Sequence, residues 1–162
     1  NRFSAGKPWE YDIEESGFNF RLDEIRSALG LSQMKRLDKF NDLRKKASEY
    51  YTSQLTDVKG IITPKISKNN ENSFHLYIIR ITKDFPLTRD VLFKKLLNNG
   101  IRTSVHYKPL NQFTLFKKMA KSYDKLEISN MLYDEILSLP MYPTIQKSDQ
   151  NYVIKNIKNG II

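Results

Sequence analysis

The sequence predicts an α/β (α+β-like) domain, a small open β-sheet covered by helices, with a long helix near the N-terminus. Three observations predict it. Apolar residues recur at helical spacing from Leu22 to Leu55, a short apolar run at 74–81 is flanked by polar stretches, and amphipathic segments alternate with a second β-rich run toward the C-terminus. The length of 162 residues, 40% of them hydrophobic and 28% charged, suits one globular domain with a core of its own. Residues 1–16, with Gly6, Pro8, Trp9 and Tyr11, read as an irregular aromatic arm, and 17–162 as the domain proper.

Each element follows from local pattern. Leu22, Ile25, Ala28 and Leu29 share a helical face, and Asp23 and Glu24 fall in the first turn, where carboxylates complement the helix dipole. Leu37, Phe40, Leu43, Ala47, Tyr51 and Leu55 continue the stripe, and Gly30 interrupts it at a cost of about 1 kcal/mol, which predicts a bend or a close helix contact there. Gly60 breaks the helix. Residues 73–82, centred on Phe74-His75-Leu76-Tyr77-Ile78-Ile79-Arg80-Ile81, read as a strand apolar on both faces, with His75 in the core. Arg89 to Asn98 is a helix with Thr88 as N-cap and Gly100 as its stop. Ile101 to His106 reads as a second strand. Phe113, Leu115 and Phe116 form an apolar loop or short helix, Glu127 to Leu137 a helix ended by Pro140, and Ser148 to Lys158 the last helix.

Composition limits the function classes. There is no cysteine, so disulfides and thiolate metal sites are excluded, and two histidines without a carboxylate cluster suggest no metal site. No apolar run approaches the roughly 18 residues of a membrane span, no signal-peptide pattern opens the chain, and a cytoplasmic protein is the default. The chain opens at Asn1 without a methionine, which fits a fragment or a processed product. The net charge of +9 invites a nucleic-acid reading, but the basic residues are spread along the chain and form no recognised motif. An anionic small substrate suits the same charge.

Asn19 and Arg21 lie just ahead of the first helix, where groups that hold an anion are well placed. The alternative is that Asn19 only turns or caps the chain and Arg21 pairs with a local acid. His106 stands at a strand end beside Tyr107, either as a structural hydrogen-bonded histidine or as a ligand contact.

The string Gly17-Phe18-Asn19-Phe20-Arg21-Leu22-Asp23-Glu24-Ile25, with Ala28-Leu29-Gly30-Leu31-Ser32-Gln33 and Lys35-Arg36-Leu37 after it, resembles the DegT/DnrJ/StrS family. These are pyridoxal-phosphate-dependent aminotransferases acting on nucleotide-linked keto-sugars. Trp9-Glu10-Tyr11-Asp12 and Ser138-Leu139-Pro140-Met141-Tyr142-Pro143 resemble the lead-in and closing segments, so the likeness covers most of the chain from Trp9 onward.

The resemblance implies the C-terminal small domain of a fold-type-I aminotransferase more than twice this length. It implies pyridoxal 5'-phosphate as cofactor, a nucleotide-sugar substrate, and either a homodimer or a missing large domain that completes the site. Asn19 matches a cofactor-phosphate or substrate contact, Arg21 belongs to the same substrate-binding string, and His106 and Tyr107 match a stretch lining the sugar-nucleotide site. Ser73-Phe74-His75 imitates the start of the cofactor-lysine motif, but Ile78 stands at the lysine position, so the chain is expected to lack the aldimine lysine and to be inactive alone. Where many relatives carry Leu-His after the proline, this chain has Leu110-Asn111, which implies a difference in the sugar or in a nucleotide phosphate contact. The competing reading is a non-catalytic remnant or partner-binding module.

Overall fold

The long N-terminal helix expected from the apolar stripe is two helices. The computed structural model describes residues 15–67, 69–119 and 126–160; most of the aromatic arm, including Trp9 and Tyr11, lies outside them. α1 spans Glu24–Met34 and α2 Leu37–Leu55. The break falls at Lys35 and Arg36, not at Gly30, which sits inside α1 with nothing within 4 Å of where a Cβ would stand. A glycine with open space around it marks no close contact, so its propensity cost is simply absorbed by the helix. Asp23 lies outside the first turn: it is the N-cap, accepting from the Arg26 N–H at 2.9 Å.

The chain divides into two compact units between Arg36 and Leu37. The first ends with α1, in which no residue is buried.

The second unit is built on a three-stranded antiparallel sheet in the order β1-β2-β3, with β1 at Ile61–Ile62, β2 at Tyr77–Ile81 and β3 at Ile136–Leu139. Tyr77 lies opposite Leu139 and Ile79 opposite Leu137, so these four side chains share one face, joined by Ile81. That face meets Tyr51 and Leu55 of α2, Leu92 and Leu96 of α3 (Arg89–Asn98), and Val153, Ile154 and Ile157 of α6 (Lys147–Lys158) in one buried cluster. The rings of Tyr51 and Tyr77 stack with centroids 5.0 Å apart. Burial pushes the Tyr77 hydroxyl up to about 12, against the opposing pull of its bond to Thr52, and burial likewise raises Tyr51, so both stay neutral core groups. Gln150 of α6 donates to the Ala47 carbonyl of α2 at 2.9 Å, satisfying a buried amide at the helix contact.

Several expectations hold and several do not. Thr88 caps α3, accepting from Val91 N–H at 3.4 Å, and Gly100 ends it at φ +75°. Residues 114–119 form a short helix, α4, after a 3-10 turn at Leu110–Gln112. α5 stops at Glu135, and Ile136 to Leu139, expected at the tail of a helix and the run before Pro140, are instead a strand. Ile101 to His106 is not a full strand: its backbone pairs with the sheet only where Ser104 bridges Ser138. Toward Arg102 the ladder stops because the partner position is Pro140, which has no N–H to give, and toward His106 because the Ile136 N–H is already bonded to the Leu132 carbonyl of α5.

β2 is shorter than expected and buried on one face only, Tyr77, Ile79 and Ile81 alternating with half-exposed Ile78 and Arg80. Just before it Phe74 adopts φ +51° and turns inward, which leaves His75 exposed. The expected core histidine is therefore a surface residue.

Candidate functional site

Two groups of candidate residues are present, one in each unit. In the first, neighbours two apart pair up along the segment before α1. The Phe18 and Phe20 rings lie 5.3 Å apart, and Arg21 Nε donates to Asn19 Oδ1 at 3.3 Å. All four side chains are exposed. The bond from Arg21 occupies the amide oxygen of Asn19, so the amide nitrogen and the guanidinium nitrogens remain as outward donors. Arg21 makes no ion pair among the described residues, so the expectation of a local acid partner is not met.

Helix geometry contributes less here than the sequence suggested. The N-terminus of α1 is already occupied by its own Asp23 carboxylate, four residues beyond Asn19. Asp23 takes one of the first-turn N–H groups, that of Arg26, and sets a negative charge where an anion would dock.

The second group lies on the sheet face opposite the core. Ser138 stands across from Ile78 on β3, pointing away from Leu137 and Leu139. Its Oγ and His106 Nδ1 are 2.8 Å apart. His106 is half-buried, its ring meeting that of Tyr107 edge-on at 4.6 Å, while Tyr107 is 73% exposed. His106 and Tyr107 form one wall of an open cleft of about 450 Å³, with Asn111, Ser129, Tyr133 and Ile136 among the others; Ser138 lies behind the histidine and does not line it. α5 (Glu127–Glu135) supplies the facing side and is tied to the sheet by Glu135, whose carboxylate takes Arg80 Nη2 at 2.7 Å and Nε at 2.9 Å. The Oδ1 of Asn111 is buried without a hydrogen-bond partner, an acceptor left over on the cleft wall.

Arg89 reinforces this side of the fold. It is 7% exposed, donates to the Ile136 carbonyl at 3.1 Å and to Asp90 at 2.6 Å, and lies 5.4 Å from the centre of the Tyr133 ring. A larger cleft of about 810 Å³, between α2 and residues 64–74, shares none of these residues. No group of metal-ligating side chains occurs among the described residues, and no helix there is long and apolar enough to cross a membrane.

The candidates read from the sequence, Asn19, Arg21, His106 and Tyr107, fall into these two groups, and Ser138, 32 residues from the histidine it bonds, was not among them. The first unit carries exposed hydrogen-bond donors on Asn19 and Arg21, and the second an imidazole-phenol pair, His106 and Tyr107, beside an open cleft.

Comparisons with known proteins give the family. The chain belongs to the DegT/DnrJ/EryC1/StrS aminotransferase family, whose model it matches over residues 3–158. It is 29% identical to the spore coat polysaccharide biosynthesis protein SpsC of Bacillus subtilis over 163 residues, 98% of this chain and 42% of that protein. It is 32% identical to the UDP-4-amino-4,6-dideoxy-N-acetyl-beta-L-altrosamine transaminase of Campylobacter jejuni, covering 90% of this chain and 38% of that one. Among solved structures it resembles Helicobacter pylori PseC, an aminotransferase of pseudaminic acid biosynthesis, with TM-score 0.81 and 27% identity over 94% of this chain and 41% of that one. The chain thus spans about two-fifths of the length of these relatives and corresponds to their C-terminal part. Pyridoxal phosphate is the cofactor of solved relatives, among them a Streptococcus pneumoniae sugar aminotransferase determined in its PLP-form, with TM-score 0.79 and 26% identity.

Proposed function

We propose that this chain is the C-terminal portion of an enzyme that transfers an amino group, with glutamate as donor, to a nucleotide-linked keto-sugar for surface polysaccharide or glycan biosynthesis in the cytoplasm. Residues 1–16 are then an arm from the junction with the larger domain, and 17–162 the small domain. The larger domain, in the same enzyme or in a second copy across a homodimer, holds the lysine for the cofactor. Pyridoxal phosphate, when bound, supplies the electron sink for amino transfer.

This chain's residues do the holding and orienting. Asn19 donates its amide N–H to a phosphate oxygen of the cofactor or substrate, and the Arg21 guanidinium both fixes that amide and adds positive charge. His106 and Tyr107 line the sugar-nucleotide side of the site, and Asn111 reads part of the same ligand. The observation that carries the reading is the Asn19–Arg21 bond, since it ties the Asn19 amide oxygen to the guanidinium and leaves the amide N–H donors without a partner among the described residues. Exposed Phe18, Phe20, Ile25 and Leu29 supply the apolar surface on which the larger domain packs.

The cofactor assignment is testable on the chain itself. Purified alone, it is expected to show no saturable uptake of pyridoxal phosphate, and borohydride is expected to fix no pyridoxyl group to one of its lysines in stoichiometric yield. A single lysine carrying that group in peptide mass spectra contradicts the placement of the cofactor lysine outside this chain.

A further inference from the structure

We infer that Ser138 is a positioning residue that locks His106 into the tautomer with its proton on Nε2, so that the ring presents an N–H donor to the cleft. The ligand it suits is one offering an oxygen acceptor, a phosphate or a sugar hydroxyl; that part rests on the amino-transfer reading above.

Ser138 is 4% exposed, and its backbone is fully engaged: its N–H donates to the Ser104 carbonyl at 2.8 Å, its carbonyl accepts from Ser104 N–H at 3.2 Å, and the residue pairs with Ile78 across the sheet. Among the described residues its Oγ has one partner, His106 Nδ1 at 2.8 Å. A neutral imidazole has one donor and one acceptor nitrogen, whereas a hydroxyl has one proton that must go somewhere. Were Nδ1 the protonated nitrogen, it would donate to Oγ, and the serine proton would be buried with no acceptor. With Oγ–H donating to Nδ1, both groups are satisfied and the proton of the ring sits on Nε2. Nε2 has no partner among the described residues, and the ring it belongs to lines the cleft with Tyr107, Asn111 and Ser129. The serine comes from the strand under the cleft and the histidine from the turn beside it, so the bond also sets the direction of the ring.

The chain has two histidines, one exposed and one engaged, which makes the test clean. Nitrogen NMR of the histidine-15N-labelled chain at about pH 8.5, above the ordinary imidazole range, is expected to show His106 almost wholly in the Nε2–H form. His75 then serves as the internal reference with a mixed population. Ser138→Ala should move His106 to the same mixture as His75, and Ser138→Thr, which keeps the hydroxyl, should restore the single form. A His106 protonated on Nδ1, or a tautomer population untouched by Ser138→Ala, overturns the inference. If Ser138→Ala fails to fold, the parent decides: equal populations at His106 and His75, or an Nδ1–H form at His106, overturn it, and the Nε2–H form at His106 alone supports it. The measurement needs no ligand. Tautomers as stated, together with an assembled enzyme indifferent to His106→Ala, would keep the positioning role and remove His106 from the sugar-nucleotide site.

Discussion

Replacing Asn19 by alanine, in an enzyme assembled from this chain and its larger domain, is expected to weaken cofactor or substrate binding about ten- to a hundredfold. A hydrogen bond to a charged group is worth roughly 1.5–3 kcal/mol, and each 1.4 kcal/mol is about tenfold in affinity. Asn19→Asp should be worse, because the Arg21 Nε would still find an oxygen while the outward donor becomes a carboxylate facing a phosphate. Since Asn19 is exposed and contributes nothing to the core, neither change should move the melting temperature of the chain alone. Ligand titration beside thermal unfolding separates the two effects. Unchanged affinity in Asn19→Ala would remove this segment from the site.

Gly60→Ala should have the largest effect on stability. Gly60 sits at φ +82° between α2 and β1, and a Cβ there would lie 2.1 Å from the Phe85 nitrogen and 2.4 Å from its Cα. Those are backbone atoms, held in place because Phe85 N–H donates to the Thr82 carbonyl and Thr82 N–H to the Gly60 carbonyl, at 3.0 and 2.8 Å. The Phe85 ring is part of the core, so relief of the clash displaces a buried side chain. Strain and repacking together should cost about 3 kcal/mol or more, a fall of roughly 6–12 °C in a unit of this size. Gly100→Ala is the comparison. It shares the left-handed backbone, at φ +75°, but meets nothing within 4 Å, so only the conformational cost of about 1–2 kcal/mol remains. Equal melting shifts at the two glycines would contradict the close approach at Gly60.

These residues also show what sequence could and could not disclose. The α3 helix was legible to the residue because its signals are local: a threonine whose hydroxyl reaches three residues on, and a glycine free to take positive φ. Strand β3 was not, because Leu132, Tyr133, Ile136 and Leu137 keep helical spacing, and only pairing with Tyr77–Arg80 makes the last two strand. β1 has two residues and no period to detect. His75 was misplaced because its exposure is decided by the backbone of Phe74, which no propensity scale encodes. Asn19 and Arg21 became candidates through the family string, and His106 and Tyr107 through a second stretch resembling the family. Ser138 did not, since nothing local links it to a histidine 32 residues away. The apolar stripe of α1 was read correctly as a stripe, yet Ile25 is 84% exposed and Leu29 59%, so periodicity located the face and not its cover.

The central claim is that this chain completes an amino-transfer site whose cofactor lysine lies on another portion of the enzyme. It is tested most directly by amino transfer from glutamate to a UDP-linked 4-keto-sugar, measured on three samples: the chain alone, the chain fused after the lysine-bearing portion of the Campylobacter jejuni transaminase, and that fusion with Asn19→Ala. The account predicts no turnover by the chain alone, turnover by the fusion, and a loss of about ten- to a hundredfold in kcat/KM with Asn19→Ala. Turnover by the chain alone, or a fusion that carries pyridoxal phosphate and transfers the amino group equally well with and without Asn19, would contradict it.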